Sequence, residues 1–422
     1  GTWFEAAGLD PVATDRAGVD PRDAAATTVP DEPDWLREAP PEPATADADP
    51  ALAPADVAAA IEARRAARAT EIVGNLNPEQ ARAVTTTEGP LLILAGAGSG
   101  KTRVVAHRIA YLLGVMAVPP RRILAVTFTN RAAGELRERI AALTGDAGKD
   151  VEAGTFHALC ARVLRRDGEA IGLDRRFVIY DTDDQQQLMK RILAEEDLPA
   201  TGEFRPAAIL GAISRAKNEM LDEAFLAEQA VSHRERVIAR LAARYRDRLR
   251  AANALDFDDL LLRAVELFEQ APEVLARYQA RWRYLHVDEY QDTNRPQYLW
   301  IRALAAAHRN LCVVGDDDQS IYGWRGANVQ NILDFERDYP DATVVKLEQN
   351  YRSTQLILDA AHAVVSRNER RTDKKLWTAN AGGIPIQRFE AFNEEEEAEW
   401  IARQVEGIVG GRGSVLTRRA DD

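Results

Sequence analysis

The octet Ala95-Gly96-Ala97-Gly98-Ser99-Gly100-Lys101-Thr102 sets three alternating glycines ahead of a lysine and a hydroxyl residue. Such a run lets successive backbone N–H groups wrap an anion, because glycine admits turns and close approaches that a side chain forbids. An apolar run, Leu91 to Leu94, precedes it, and an amphipathic stretch from about Lys101 to Leu113 follows. Strand, loop and helix N-terminus in that order make the phosphate cradle of a P-loop. Lys101 would reach the β- and γ-phosphates, and the Thr102 hydroxyl would ligate Mg²⁺. The strict pattern G-x-x-x-x-G-K-[ST] is missed by one methyl group, because Ala95 stands at its first glycine.

A phosphate loop also needs a carboxylate from a neighbouring strand. The run Tyr284 to Val287 leads straight into Asp288-Glu289. Asp288 would hold the metal through water, and Glu289 would polarise the attacking water. An Asp-Glu pair at a strand end is otherwise often a solvated loop, so the two motifs carry the assignment together.

The elements around these residues read as α/β. Further short apolar runs, Ile123 to Val126, Leu311 to Val314 and Thr343 to Leu347, alternate with helical stretches such as Ala132 to Leu143. That alternation predicts a parallel sheet with helices on both faces. Between about Phe177 and Leu255 the strands stop, and charged helical stretches predict a helical insertion over Asp183–Glu195, Pro206–Met220 and Asp222–Ala252. A second α/β unit is expected to begin near Thr343. Residues 54–70 have helical composition and lead into the folded body.

The net charge of −13 is unlike that of a nucleic-acid binder, but residues 1–50 hold 12 Asp or Glu against 3 Arg. Any DNA groove must therefore be a local feature. The same 50 residues contain 8 prolines and few large apolar side chains, so they are expected to lack stable structure. Trp3-Phe4 and Trp35-Leu36 are apolar islands there, either stray residues or a docking motif for a protein partner. The two cysteines, Cys160 and Cys312, sit in apolar segments and are expected to be buried free thiols in a reducing cytosol. Six scattered histidines offer no zinc spacing. Neither a secretory signal nor a membrane span is visible, so a cytoplasmic location is expected.

With these residues placed, the chain resembles the UvrD/Rep/PcrA-like family of superfamily 1 DNA helicases over about residues 74–400. Leu76-Asn77-Pro78-Glu79-Gln80 looks like the Q motif, whose glutamine reads adenine, which assigns Gln80. The octet matches motif I as the family writes it, alanine first, and Arg103 is similar to the family's adenine-side arginine. Val126 to Ala133, containing Phe128 and Asn130, looks like motif Ia. Gly154-Thr155-Phe156-His157 looks like the next motif to touch single strands. Asp256 to Leu260 resembles the element before motif II, and Asp288 to Asp292 is similar to motif II itself. Gly315 to Ala327 and Gln349 to Thr354 match motifs III and IV.

The resemblance implies a RecA-like P-loop sheet with a helical insertion, followed by the start of a second RecA-like unit. It divides the chain into an extension (1–70), a motor unit (71–176 and 253–340), an insertion (177–252) and an incomplete second unit (341–422). It implies that Gln319 couples the γ-phosphate to DNA. Tyr322, Trp324 and Phe128 would stack on bases of single-stranded DNA, and Arg325, Arg131 and Arg162 are candidate phosphate contacts. Tyr351 would sandwich the adenine, and Arg352 would act as an arginine finger. ATP and Mg²⁺ are the implied cofactors. The implied activity is an ATP-dependent DNA helicase or translocase, 3′ to 5′, in repair or replication. The alternatives are an ATP-gated DNA-binding module without unwinding, or the helicase part of a helicase-nuclease. Glu394 to Glu397 reads as the exposed start of a helix.

Overall fold

The structure, a computed structural model, describes residues 54–368 and 371–409; the side chains of 54–57 and 325 lie outside the description. The sequence readings at Trp3-Phe4 and Trp35-Leu36, and the rest of 1–50, fall outside it too. Among the described residues ten strands follow one another: β1 Leu91–Ala95, β2 Ile123–Thr127, β3 Glu152–Thr155, β4 Val178–Ile179, β5 Ala254–Leu255, β6 Tyr284–Val287, β7 Leu311–Gly315, β8 Thr343–Leu347, β9 Gln349–Asn350 and β10 Trp377–Thr378.

Six of them form one parallel sheet in the order β3-β2-β6-β7-β1-β8. Unbroken apolar runs choose this arrangement, since a strand covered on both faces needs no polar side. Period-two alternation then divides each run between two cores. Leu92 and Leu94 join Leu124 and Val126 in one core, which is closed by Phe156, Phe268, Trp282 and Trp300. Leu91 and Ile93 join Ile123 and Ala125 in the other, covered by Val104, Ile109 and Leu112 from the helix Lys101–Gly114. Cys160 belongs to the first core and Cys312 to the second, and both thiols are free and buried. The α/β expectation holds, and the fold is RecA-like.

The parallel arrangement brings the C-terminal ends of β1, β2, β3, β6 and β7 to one edge, where ligands of open α/β sheets bind. All four loop motifs, after β1, β2, β6 and β7, therefore emerge together.

The insertion consists of helices Thr182–Glu195, Pro206–Asn218, Glu223–Gln229 and His233–Ala251. It packs around its own core, including Met189, Ile192, Ile209, Leu241 and Tyr245. Two expectations are corrected here. The stretch Asp222–Ala252 is two helices, because Ser232 caps the second with a reciprocal bond to Glu235. Strands are not absent from the region: β4 pairs with β5 and ties the ends of the insertion together. Lys217 anchors the insertion to the sheet domain at 2.7 Å from both Asp256 and Asp259.

A third correction concerns β8. Thr343–Leu347 was expected to open a second α/β unit, yet it runs parallel to β1 with Leu91 opposite Thr343 and Ala95 opposite Leu347. Val345 and Leu347 point into the core while Lys346 is exposed, the pattern of an edge strand. Beyond it, β9 pairs with β10, the helix Gln355–Val365 follows β9, and Glu394–Val409 starts with four glutamates in its first turn. No described helix is long and apolar enough to cross a membrane.

Candidate nucleotide and nucleic-acid site

Ala95 ends β1 as buried strand, paired with Leu347. Its backbone has no positive φ, so glycine is not required at this position. Gly98 and Gly100 differ, with φ of 68° and 89°. A Cβ on Gly98 would come within 2.5 Å of Asn350 Nδ2 and 2.9 Å of Arg352 Cβ. The helix that starts at Lys101 has no side-chain cap, so its first N–H groups and the positive end of its dipole face the loop.

Lys101 Nζ donates to Glu289 Oε2 at 2.8 Å and to Gln319 Oε1 at 3.4 Å. The Thr102 hydroxyl faces the Asp288 carboxyl and, after the Lys101 charge, favours its ionised form. Burial, helped by the neighbouring Glu289 charge, pushes the Asp288 carboxyl up to about 6. Glu289 holds a left-handed backbone, φ 51° and ψ 46°, a conformation that a non-glycine residue keeps at a cost of about 1–3 kcal/mol when its surroundings fix it. Gln291 supplies part of that fixing, because its Nε2 donates to Glu289 Oε2 at 2.9 Å. Its Oε1 accepts the Asp316 N–H at 3.0 Å, which joins the loops after β6 and β7. A buried carboxylate touching a hydroxyl beside a phosphate loop is a hard-oxygen donor set that fits Mg²⁺.

The segment after β9 closes the loop from the other side. Asn350 Nδ2 donates to the Ala97 carbonyl at 2.5 Å, and the Tyr351 N–H to the Gly98 carbonyl at 2.9 Å. Arg352 is exposed next to them. The Tyr351 hydroxyl accepts from Asn77 at 3.0 Å and donates to Gln349 at 2.9 Å. Arg103 reaches the Asn75 carbonyl at 2.8 Å. Gln80 is only 1 % exposed. Its Oε1 accepts the Asn77 N–H at 3.2 Å and its Nε2 donates to the Ser99 carbonyl at 2.9 Å. Both ends of the Gln80 amide are thus engaged, and contact with a base requires exchanging one of these bonds.

On the same edge of the sheet, Phe128 stacks on Tyr322 with centroids 5.1 Å apart and planes at 27°, and Tyr322 lies 6.3 Å from Trp324. Trp324 is 57 % exposed. The three rings form a surface ledge rather than core. Asn130 is exposed at the first turn of its helix, capped by Thr129. Thr155, opposite Thr127 in the sheet, spends its hydroxyl capping the next helix. The Arg325 side chain, a candidate phosphate contact, lies outside the described residues.

His157 is half-buried edge-on to Phe257, and burial pulls its pKa down to about 4. It is therefore a neutral group near pH 7, able to exchange hydrogen bonds but not to pair as a cation with phosphate. A histidine whose folded pKa lies below its unfolded value of about 6.5 binds fewer protons folded than unfolded between those limits. Its stabilising share is complete above pH 6.5 and is lost as pH falls toward 4. Melting temperature is expected to drop on acidification through that window, and less steeply in His157→Gln, as thermal melts at half-unit pH steps would show.

Sequence reading did not single out Gln291, Asn350, Arg371 or Lys374. Gln291 and Asn350 lay inside motifs already quoted, whereas the last two sit in a stretch with no recognised pattern.

A P-loop on a parallel sheet, with an acidic strand end beside it and an aromatic ledge on the adjoining loop, defines a P-loop protein of the RecA-like class. The chain belongs to the UvrD/Rep helicase family: the UvrD/REP helicase N-terminal domain matches residues 76–340, and the UvrD-like helicase C-terminal domain matches 345–421. It is 54% identical over 338 residues to the ATP-dependent DNA helicase PcrA of Leuconostoc citreum, covering 80% of this chain and 45% of that protein. Against the ATP-dependent DNA helicase PcrA of Staphylococcus aureus (strain Mu50) it is 50% identical over 334 residues, covering 79% and 46%. The chain thus spans just under half the length of these relatives.

Proposed function

We propose that this chain binds ATP with Mg²⁺ at the Lys101 loop, hydrolyses it, and uses the cycle to move single-stranded DNA across the Phe128–Tyr322–Trp324 ledge. The full reading is an ATP-dependent DNA helicase or translocase, 3′ to 5′, serving repair or replication in the cytoplasm. Both PcrA relatives are named for ATP-dependent DNA helicase activity. The observation that carries the reading is a single loop. Gln319 contacts Lys101 at 3.4 Å, and three residues later the same loop presents Tyr322 to Phe128. A phosphate arriving at Lys101 and a base arriving at Tyr322 both act on that loop.

In this reading Lys101 leaves Glu289 for the β/γ-phosphates, which frees the carboxylate to accept a proton from the attacking water. Thr102 and Asp288 would hold Mg²⁺, which neutralises charge on the phosphates when bound. Arg352 adds positive charge from the opposite side, Gln319 reports the γ-phosphate to the ledge, and Tyr351, Arg103 and Gln80 surround the base. We divide the chain as the sequence suggested, with β8 moved into the first unit.

ATP turnover measured with and without an oligo(dT) strand tests this reading. Stimulation of about tenfold or more is expected, since loop placement governs transition-state contacts. Equal rates with and without DNA would reduce the chain to a simple nucleotide hydrolase. Strand displacement from substrates with 3′ or 5′ tails tests the polarity.

A further inference from the structure

Asp316, Asp317 and Asp318 bring one carboxylate oxygen each to a common point, and the proposed chemistry uses none of the three directly. The ammonium of Lys374 occupies that point, 2.8 Å from Asp316 Oδ1, 2.8 Å from Asp318 Oδ2 and in still closer contact with Asp317 Oδ1. Lys374 is 4 % exposed. Arg371 adds a two-pronged contact to Asp318, 3.1 Å on each side, and its guanidinium also donates to the Lys374 carbonyl at 3.2 Å. The Thr372 N–H donates to Asp317 Oδ2 at 2.5 Å. Buried carboxylates gather like this only around a counter-charge, and removing that charge is far more costly than burying the set complete.

What the cluster joins gives it meaning. On one side, the Asp316 N–H bonds Gln291 at 3.0 Å, and the Asp316 carboxylate accepts from the Gln319 amide that faces Lys101. On the other, residues 371–374 run into β10, which pairs with β9 and so with the turn carrying Asn350 and Arg352. The Lys375 N–H is fixed to Glu348 at 2.9 Å. One buried ammonium, with Arg371 and the Thr372 N–H beside it, therefore holds the loop of Gln319, Tyr322 and Trp324 to the strand pair that leads into Arg352.

We propose that Lys374, steadied by Arg371, is a positioning residue that transmits DNA occupancy of the aromatic ledge to the phosphate site. This rests on the function proposed above. Without Lys374 the loop keeps its bonds to Gln291, Arg371 and Thr372 but loses the ammonium on which its three carboxylates converge, so its tie to the Arg352 side is loosened and the two halves of the phosphate site move together less closely. The ammonium also fills the place a divalent cation would take among these carboxylates.

The test uses the 422-residue chain, ATP and oligo(dT), with Lys374→Met, Lys374→Arg and Arg371→Met beside wild type. For Lys374→Met the DNA stimulation of kcat is expected to fall about tenfold or more while the KM for ATP stays within about threefold, the split of an interaction made late in the cycle. Lys374→Arg keeps the charge and should recover most of the stimulation; Arg371→Met should lose a smaller part. Three facing carboxylates can unfold Lys374→Met, so Lys374→Met/Asp317→Asn, with the charge partly relieved, carries the same prediction in a folded chain verified by melting. Wild-type stimulation in a folded Lys374→Met, or full recovery in the double variant, overturns the proposal. An unstimulated wild type overturns the function it rests on instead, so the two failures are distinct.

Discussion

Glu289→Gln is expected to slow ATP turnover by about 100- to 10,000-fold, the range for removing a general base, while nucleotide binding becomes tighter. Both effects come from one contact. Lys101 Nζ sits 2.8 Å from Glu289 Oε2, and the lysine side chain is only 12% exposed. An arriving triphosphate must draw the ammonium away from that carboxylate. A neutral amide of the same shape holds it less strongly, because a charge-assisted hydrogen bond is roughly twice as strong as a neutral one. Glutamine also keeps an acceptor for Gln291, which leaves the left-handed backbone at 289 supported. Single-turnover hydrolysis and equilibrium binding of a fluorescent ATP analogue separate the two consequences. Retained turnover would show that Glu289 does not activate water, and weakened binding would show that its pair with Lys101 helps to form the loop.

The second large effect is expected at Trp324. Its ring is 57 % exposed at the end of the ledge, so Trp324→Ala removes little buried area and should leave the melting temperature almost unchanged. Single-stranded DNA affinity should nevertheless fall by about 5- to 150-fold, the equivalent of ~1–3 kcal/mol for one stacked base. Tyr322 is a less clean site to probe, because its contact with Phe128 at 5.1 Å also shapes the loop. Fluorescence anisotropy with labelled oligo(dT) at fixed salt measures the change. The loss should be similar on mixed sequences, as stacking is indifferent to base identity. An unchanged affinity would remove Trp324 from the DNA path.

Much of this arrangement was legible because its signals are local. The apolar runs that became β1, β2, β6 and β7 need no partner to be recognised, and in a parallel sheet their C-terminal ends necessarily share an edge. The glycine spacing before Lys101 likewise states a backbone requirement that Gly98 and Gly100 fulfil through positive φ. Less legible was whatever depends on register or on distant charge. Thr343–Leu347 reads as the same strand whichever sheet it joins, and only its pairing with Leu91–Ala95 decides. Lys374 and the three aspartates are more than fifty residues apart, and neither stretch alone foretells a buried ion cluster. The break between the two helices of 222–252 did have a signal, Ser232 three residues before Glu235, which the helical composition around it masked. Gln80 was assigned by its motif to the base, and the structure adds a second duty, fastening the Asn77 turn to the phosphate loop.

The placement of β8 has a mechanical corollary. Its ladder with β1 runs to Leu347, and β9 starts at Gln349, so Glu348 alone separates the strand built into the first sheet from the pair that begins the next. In the proposed cycle the second unit would therefore pivot at Glu348, next to the phosphate loop, where the Gly96 N–H donates to the Leu347 carbonyl at 3.2 Å. A rotation about it would move nearby atoms least and grow in proportion to radius, so in the proposed cycle the far rim travels further than the Lys101 loop.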